Sequence, residues 1–332
     1  MNIMYDIAVV VATYNPVWEK LKATLLSILE QEDICIQIIV ADDGSKITLF
    51  DKIEALFKEY EYTDYKLVNS PKNEGTVCNF YRGISFANAE YIKVISPGDL
   101  LFDTRTLSEW LKFTESQDAD LTFCNMIFYN IKNNNIKIIR HKQHPKNISV
   151  YLSDSPFETK LINYFILEDK IYGASVLVKK AVFKYYLEFL LHKIVYTEDY
   201  FIRLAVFDNR KIVFFPKPGI WYEYAAGGIS TTGEAVWKKR LGKDSMEMDR
   251  ISIDYKEDLN RKYRKWFDTH NKYKRKWYSS SLSPIDKLRY YFGHPKWLYW
   301  KYYQTMHCAY SPVNIDDSFL QHCFGMTQGI CQ

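Results

Sequence analysis

The chain has 332 residues, 47% hydrophobic and 25% charged, an ordinary globular usage that excludes disorder and fibrous architectures and leaves room for one large domain with an appendage, or two domains. Its net charge of +4 is unevenly spread: residues 238–304 hold 18 Lys/Arg against 8 Asp/Glu, net +10, which leaves −6 for the remainder, and aromatic residues reach 17%. No apolar run approaches the ~20 residues of a membrane-spanning helix, and the six cysteines include no Cys-x-x-Cys pair, so the sequence reads as a reduced, cytosolic protein without a signal peptide.

The first hundred residues alternate short apolar runs with helical periodicity, the mark of a parallel sheet with crossover helices. Residues 6–12 read as a buried strand. Trp18, Leu21, Leu25, Ile28 and Leu29 recur at three- and four-residue steps and predict an amphipathic helix after the Tyr14-Asn15-Pro16 turn. Residues 34–41 are the second expected strand, 47–59 a second helix with Leu49, Ile53, Leu56 and Phe57 inward, and 65–68 a third strand. A third helix over 75–88 and a fourth strand over 91–95 complete this rhythm. Further on, 104–116 predicts a helix and 120–129 a strand, and the polar turn 130–135 leads into 136–140 as a hairpin laid over the sheet. Cys35 and Cys124 fall in apolar runs and are expected in strands, packed in the core. Residues 155–230 mix short helices and strands. From Lys238 onward the pattern is helical, with Tyr255, Leu259, Tyr263, Trp266, His270, Tyr273 and Trp277 on one stripe and Lys/Arg opposite. Breaks are marked by Ser279-Ser280-Ser281 with Pro284 and by Gly293-His294-Pro295. The organisation expected from this is a catalytic domain over 1–235, a basic and aromatic helical extension over 236–304, and a tail over 305–332.

In an open parallel sheet, ligands bind beyond the carboxyl ends of the strands. The polar turns at those ends are Ala12-Thr13-Tyr14-Asn15-Pro16, Asp42-Asp43-Gly44-Ser45 and Ser96-Pro97-Gly98-Asp99. Carboxylates there can accept from a base N–H or a ribose hydroxyl, or hold a divalent cation that neutralises a diphosphate. Together they point to a nucleotide diphosphate. The plainer reading of Asp42 and Asp43 is strand-to-turn punctuation, with Ser45 capping the next helix. No Gly-x-Gly-x-x-Gly follows the first strand and no Gly-Lys-Ser/Thr loop occurs, which disfavours dehydrogenases and P-loop ATPases.

An ordered set of short motifs narrows this further. It comprises Val9-Val10-Val11-Ala12-Thr13-Tyr14-Asn15, Leu25-Leu26-Ser27-Ile28-Leu29-Glu30-Gln31, Ile39-Val40-Ala41-Asp42-Asp43-Gly44-Ser45, Asn73-Glu74-Gly75 with Asn79, Glu90-Tyr91-Ile92, Gly98-Asp99 and Thr197-Glu198-Asp199-Tyr200. In this order, over residues 5 to about 225, the chain resembles a family 2 glycosyltransferase of the bacterial capsule and surface-polysaccharide type. The resemblance implies an α/β GT-A nucleotide-diphospho-sugar transferase fold, a Rossmann-like mixed sheet flanked by helices, with a helical C-terminal extension. It places Ala12, Thr13, Tyr14, Asp42 and Asp43 around the nucleotide base, usually uracil in this family. Asn73, Gly75, Asn79 and Gly98 would lie near ribose and diphosphate. Glu198-Asp199 resembles the family's acidic pair at a helix start, whose second member is the catalytic base. The competing reading of that pair is favourable charge at a helix N-terminus with Thr197 as cap.

The family's metal motif, Asp-x-Asp or Asp-x-Asp-Asp, is thinned here to Asp99, and Gly98 stands where the ligating carboxylate usually falls. Either Asp99 takes over as ligand for Mg²⁺ or Mn²⁺, or metal binding is weak. Gly173 and Ser175 could let an acceptor approach backbone, or could merely form a tight turn. Gly228 and Ser230 fall in a loop, 222–232, that resembles a mobile donor-covering segment of related transferases. Lys238, Lys239 and Arg240 either meet the diphosphate or are solvated charge. The stripe from Tyr255 to Trp277 is expected to pack on the catalytic domain or on a second copy of the chain. Residues 288–303 interleave Arg289, Lys296 and Lys301 with Tyr and Trp and are expected to touch the inner face of the cell membrane. No nucleic-acid module is recognisable. His307-Cys308 and His322-Cys323 match no zinc spacing.

The function expected is inverting transfer of a sugar from a nucleotide-diphosphate donor, UDP-linked by the resemblance, to a hydroxyl of a glycan or lipid-linked glycan. Two rivals stand beside it. One is a non-catalytic glycan-binding or scaffold subunit that keeps the fold, supported by the thinned metal motif. The other is a sugar nucleotidyltransferase, whose Gly-rich basic loop after the first strand is missing here.

Overall fold

Four of the expected strands form because β-branched side chains alternate between two covered faces of one sheet. In strand β1 (Tyr5–Thr13), Ala8 and Val10 face one side with Ile39 and Ala41 of β2 (Ile36–Asp42), and Ile7, Val9 and Val11 face the other with Ile38 and Val40. Val9, Val10 and Val11 are fully buried, each contributing roughly 1.5–3 kcal/mol of transfer free energy. The computed structural model describes residues 5–133, 135–139, 145–152, 155–166, 169–224, 235–255, 284–285 and 315–326.

In chain order follow helix α1 (Trp18–Leu29) before β2, then α2 (Phe50–Glu59), β3 (Tyr65–Asn69), α3 (Thr76–Ser85), β4 (Ala89–Ile95), β5 (Leu100–Leu101) and α4 (Thr106–Ser116). The second half contributes β6 (Leu121–Lys132), β7 (Asn135–Ile139), α5 (Phe157–Leu161), β8 (Val176–Lys179), α6 (Lys180–Leu190), α7 (Tyr200–Phe207), β9 (Ile212–Glu223) and α8 (Ala235–Tyr255). A short helix, Ser318–Cys323, packs on α1 and joins it through His322 and Glu30, 2.8 Å apart.

The sheet order is β3-β2-β1-β4-β8-β6-β9-β5, with β7 paired to β6. Strands β1 to β4 are mutually parallel; β8 runs against β4 and β6, and β9 runs with β6. Consequently β9 ends at the same rim as β1, β2, β3 and β4, and β8 begins there. Helices α3, α6 and α7 cover one face and α1, α2 and α4 the other.

Two expectations are corrected. Residues 135–139 do not lie over the sheet but extend it, pairing edge to edge with residues 128–132 of β6. Cys35 is exposed and precedes β2, which begins at Ile36, two residues after the expected start at 34; the Cys35 backbone N–H donates to the Asp6 carboxylate. Cys124 is buried as expected. Helix α8, which opens the expected extension, is bonded to the α/β body: Arg203 of α7 pairs with Asp249 at 3.0 Å, and Tyr255 donates to Asp208 at 2.8 Å. No helix among the described residues is long and apolar enough to cross a membrane.

Candidate active site

The turn after β2 is built by Asp42. Its carboxylate accepts from the Thr13 hydroxyl (2.8 Å), the Ser45 N–H (2.7 Å) and the Ser45 hydroxyl (2.6 Å). Thr13 and Asp42 are both buried and stand opposite each other in the ladder. Asp42 therefore serves the turn, and Ser45 donates to it rather than capping α2, whose start has no side-chain cap. Asn15 tightens the neighbouring turn, its N–H on the Ser45 hydroxyl and its side-chain oxygen on the Lys46 N–H. Tyr14 projects outward, half exposed, and Ala12 packs on the core.

Asp43 reaches sideways. Its carboxylate accepts the Glu74 N–H at 3.0 Å and the Gly75 N–H at 2.7 Å, with the Arg82 guanidinium 3.8 Å away. Burial pushes its pKa up, opposed by those two N–H groups and by Arg82. Asn73 lies exposed on this loop. Asn79 is buried and spends its amide on the Ala41 carbonyl at 2.8 Å, so it braces α3 on β2 rather than facing a ligand. Gly75, with φ +93°, would drive a Cβ to within 2.5 Å of the Val195 carbonyl oxygen, and that oxygen accepts the Val77 N–H. The loop held by Asp43 is thus packed directly on the segment leading to Glu198 and Asp199.

That segment is fixed from behind by Asp244 of α8. Its buried carboxylate accepts the N–H groups of Val195, Tyr196 and Thr197 and the Thr197 hydroxyl, at 2.7–3.2 Å. Thr197 is therefore not the cap of α7. Asp199 occupies the N-cap position but makes no side-chain capping bond, and its Oδ1 is buried with no hydrogen-bond partner. Burial raises the pKa of both carboxyls, Asp199 adding to the rise at Glu198, with Lys170 restraining Asp199. Gly173 makes room for the pair, since a Cβ there would stand 2.8 Å from Glu198 Oε1. Ser175 is fully buried and donates to the Tyr172 carbonyl, which is the tight-turn alternative. Gly228 and Ser230 lie outside the described residues, as does nearly all of the expected extension beyond residue 255.

The turn after β4 is held by α1. Thr24 donates to the Asp99 carbonyl (2.9 Å) and accepts the Gly98 N–H (3.0 Å). The Asp99 carboxylate accepts the Glu223 N–H at 3.2 Å. Burial pushes Asp99 up to about 7, against the Glu223 N–H and the Lys93 and Lys20 ammoniums. Lys93, fully buried, donates to the Ala174 carbonyl at 2.7 Å and is pushed down to about 8 by burial. It ties the Asp99 side of the rim to the Gly173 turn. Among the described residues, no three His, Cys, Asp or Glu side chains gather into a metal-holding group. The carboxylate beside Asp99, that of Glu223, is already neutralised by Lys20. This donor set does not fit a resident divalent cation.

Asp99 carries a pH signature. Its carboxyl stays protonated in the fold up to about 7 and ionises from about 3.8 when unfolded. Unfolding therefore releases a proton between those values, and this group erodes stability as pH rises through that window. Asp99→Asn, which still accepts the Glu223 N–H, is expected to match the wild type in the free energy of urea unfolding near pH 4. At pH 8 it should exceed it by about 1–3 kcal/mol.

Sequence reasoning missed Lys20, Lys93, Val195, Glu223 and Asp244. Only Lys20 left a signal: Lys20, Thr24, Ser27 and Gln31 form a polar stripe at helical spacing along α1, and the last three all bond to the 98–107 segment.

A mixed sheet with acidic turns and a carboxylate pair gathered along one rim defines the GT-A class of glycosyltransferase. The glycosyl transferase family 2 profile matches residues 8–187, more than half of the chain, which belongs to that family and is a glycosyltransferase. Among solved structures it is similar to S. aureus TarS 1–349 in complex with UDP-GlcNAc, with 16% identity and TM-score 0.50, covering 78% of this chain and 73% of that one. The same protein in complex with UDP gives 16%, 0.47, 78% and 72%. A further TarS structure gives 17% and 0.47, with 78% of this chain and 43% of that one covered. At such identities the likeness is one of fold. No curated relative matches the sequence.

Proposed function

We propose that this glycosyltransferase moves a sugar from a UDP-linked donor to a hydroxyl of a glycan or lipid-linked glycan, inverting the anomeric centre, with Asp199 as general base. Synthesis of a surface polysaccharide is the process in which we place it. The observation that carries the reading is the Asp199 Oδ1: a buried acceptor with no partner among the described residues, beside Gly173 and just after the segment on which the Asp43-held loop packs. An isolated buried acceptor costs about 1–3 kcal/mol, and an incoming acceptor hydroxyl removes that cost by donating to it. The raised pKa makes Asp199 a stronger base than an ordinary carboxylate, as proton removal from an alcohol requires. Asp199 is the member of the pair whose carboxylate oxygen is buried and unpartnered, and so is the one placed to take the proton. A donor with uridine diphosphate is supported by the TarS complexes with UDP and UDP-GlcNAc. The base would lie against the Thr13 and Asp43 turns.

The test is a thermal-shift panel of UDP, GDP, dTDP and their sugars. UDP compounds at a hundred times Kd should stabilise the fold by about 2.7 kcal/mol by mass action, and the GDP series should do less. A melting temperature unmoved by every nucleotide would reject the donor and favour the scaffold reading.

A further inference from the structure

The turn at Gly98 and the end of β9 share one volume. A Cβ built on Gly98 would lie 2.5 Å from Glu223 Oε2, and φ there is +100°. A side chain at position 98 would be strained by the positive φ and would occupy the space the Glu223 carboxylate now fills. The turn after β4 has no carboxylate at position 98, and the end of β9 places Glu223 there instead, paired with the Lys20 ammonium. Lys20, in the first turn of α1, places its ammonium 2.7 Å from each Glu223 oxygen. Glu223 is nearly buried there, whereas Lys20 keeps 37% of its side chain exposed, free to present its remaining donors to the rim.

From this we infer that Lys20, oriented by Glu223, supplies the positive charge that holds the donor's diphosphate, in the place where a divalent cation would sit. The inference rests on the nucleotide-diphosphate donor proposed above. A second metal-side carboxylate is not to be had: Asp99 Oδ1 is turned onto the Glu223 N–H, and Glu223 is already paired. A divalent ion entering here would meet carboxylates compensated by Lys20 and Lys93 and would have to expel an ammonium. A fixed ammonium costs no such exchange, and its charge acts in a partly dry site where it is stronger than in water. Lys20 is then a diphosphate-binding residue and Glu223 the positioning residue that aims it.

The experiment is calorimetric titration of the full chain with UDP and with uridine, in EDTA and in Mn²⁺. The expected result is UDP affinity in EDTA within about threefold of that in Mn²⁺. Lys20→Met should weaken UDP binding by about tenfold or more, the worth of a charge-assisted bond, while uridine binding is unchanged and Lys20→Arg keeps most of the UDP affinity. A loss confined to UDP is not what a merely structural lysine would give. UDP binding that needs Mn²⁺, or is untouched by Lys20→Met, overturns the inference while leaving the donor reading intact. UDP that binds under neither condition rejects the donor reading and this inference with it.

Discussion

Asp199→Asn is expected to lower kcat by about a thousandfold, within the range general-base removal commonly costs, while the affinity for UDP changes by less than about threefold. The split follows from what the side chain touches. Asparagine has the same shape and leaves the packing against Gly173 and the α7 start intact. It differs in having no basic oxygen to take the acceptor's proton. The donor turns are held by the Asp42 and Asp43 carboxylates, and the segment leading to the base by Asp244, not by the Asp199 carboxylate. The wild type should also show an acid limb in kcat/KM. Activity requires the ionised carboxylate, and burial raises its pKa above the ordinary 3.8, so the rate falls as pH drops through a value well above 3.8. In Asp199→Asn the residual rate should lose that limb. Equal kcat in the two proteins, or an inflection at the ordinary Asp value, removes Asp199 from the role of base.

The part of this site that was legible in the sequence is the part made by neighbours along the chain. Strands β1, β2 and β4 announce themselves because both sheet faces are covered, and their ends are punctuated by residues that can only form turns. The turn after β2 was legible as a turn bearing two adjacent carboxylates, but the division of labour between them was not. Asp42 and Asp43 are adjacent and chemically identical, and only the fold shows one serving its own turn and the other reaching 31–32 residues ahead to Glu74 and Gly75. Lys93 was illegible for a different reason. A lysine in an apolar strand reads as the solvent face, and its burial depends on a carbonyl 81 residues away that accepts its hydrogen bond. Glu223 is 124 residues beyond Asp99. The thinning of the acidic motif at Gly98 was visible; its compensation from β9 was not, because the two meet only after the sheet reverses at β8.

The same long-range logic makes Gly75 a vulnerable backbone position at the rim. Gly75→Ala is expected to destabilise the fold by about 2–4 kcal/mol, through a strained positive φ together with a steric conflict. With φ at +93° and ψ at 167°, the residue occupies backbone space that side chains avoid. A Cβ would also meet Val195 at 2.4 Å on the side chain and 2.5 Å on the carbonyl oxygen. Val195 cannot retreat, because its N–H and those of the next two residues are held by Asp244. The strain must then be relieved on the donor side, by releasing the Gly75 N–H from Asp43, or on the base side, by displacing the Glu198–Asp199 start of α7. Either movement misaligns donor and base, and a shift of about 1 Å can cost a hundredfold in rate. Urea unfolding and kcat are therefore expected to fall together. Gly242→Ala supplies the contrast: it lies within α8 with nothing within 4 Å of its Cβ, so alanine there should stabilise by about 0.5–1 kcal/mol and leave kcat unchanged. If Gly75→Ala proved as benign as Gly242→Ala, the donor loop and the base would not be mechanically joined through Val195.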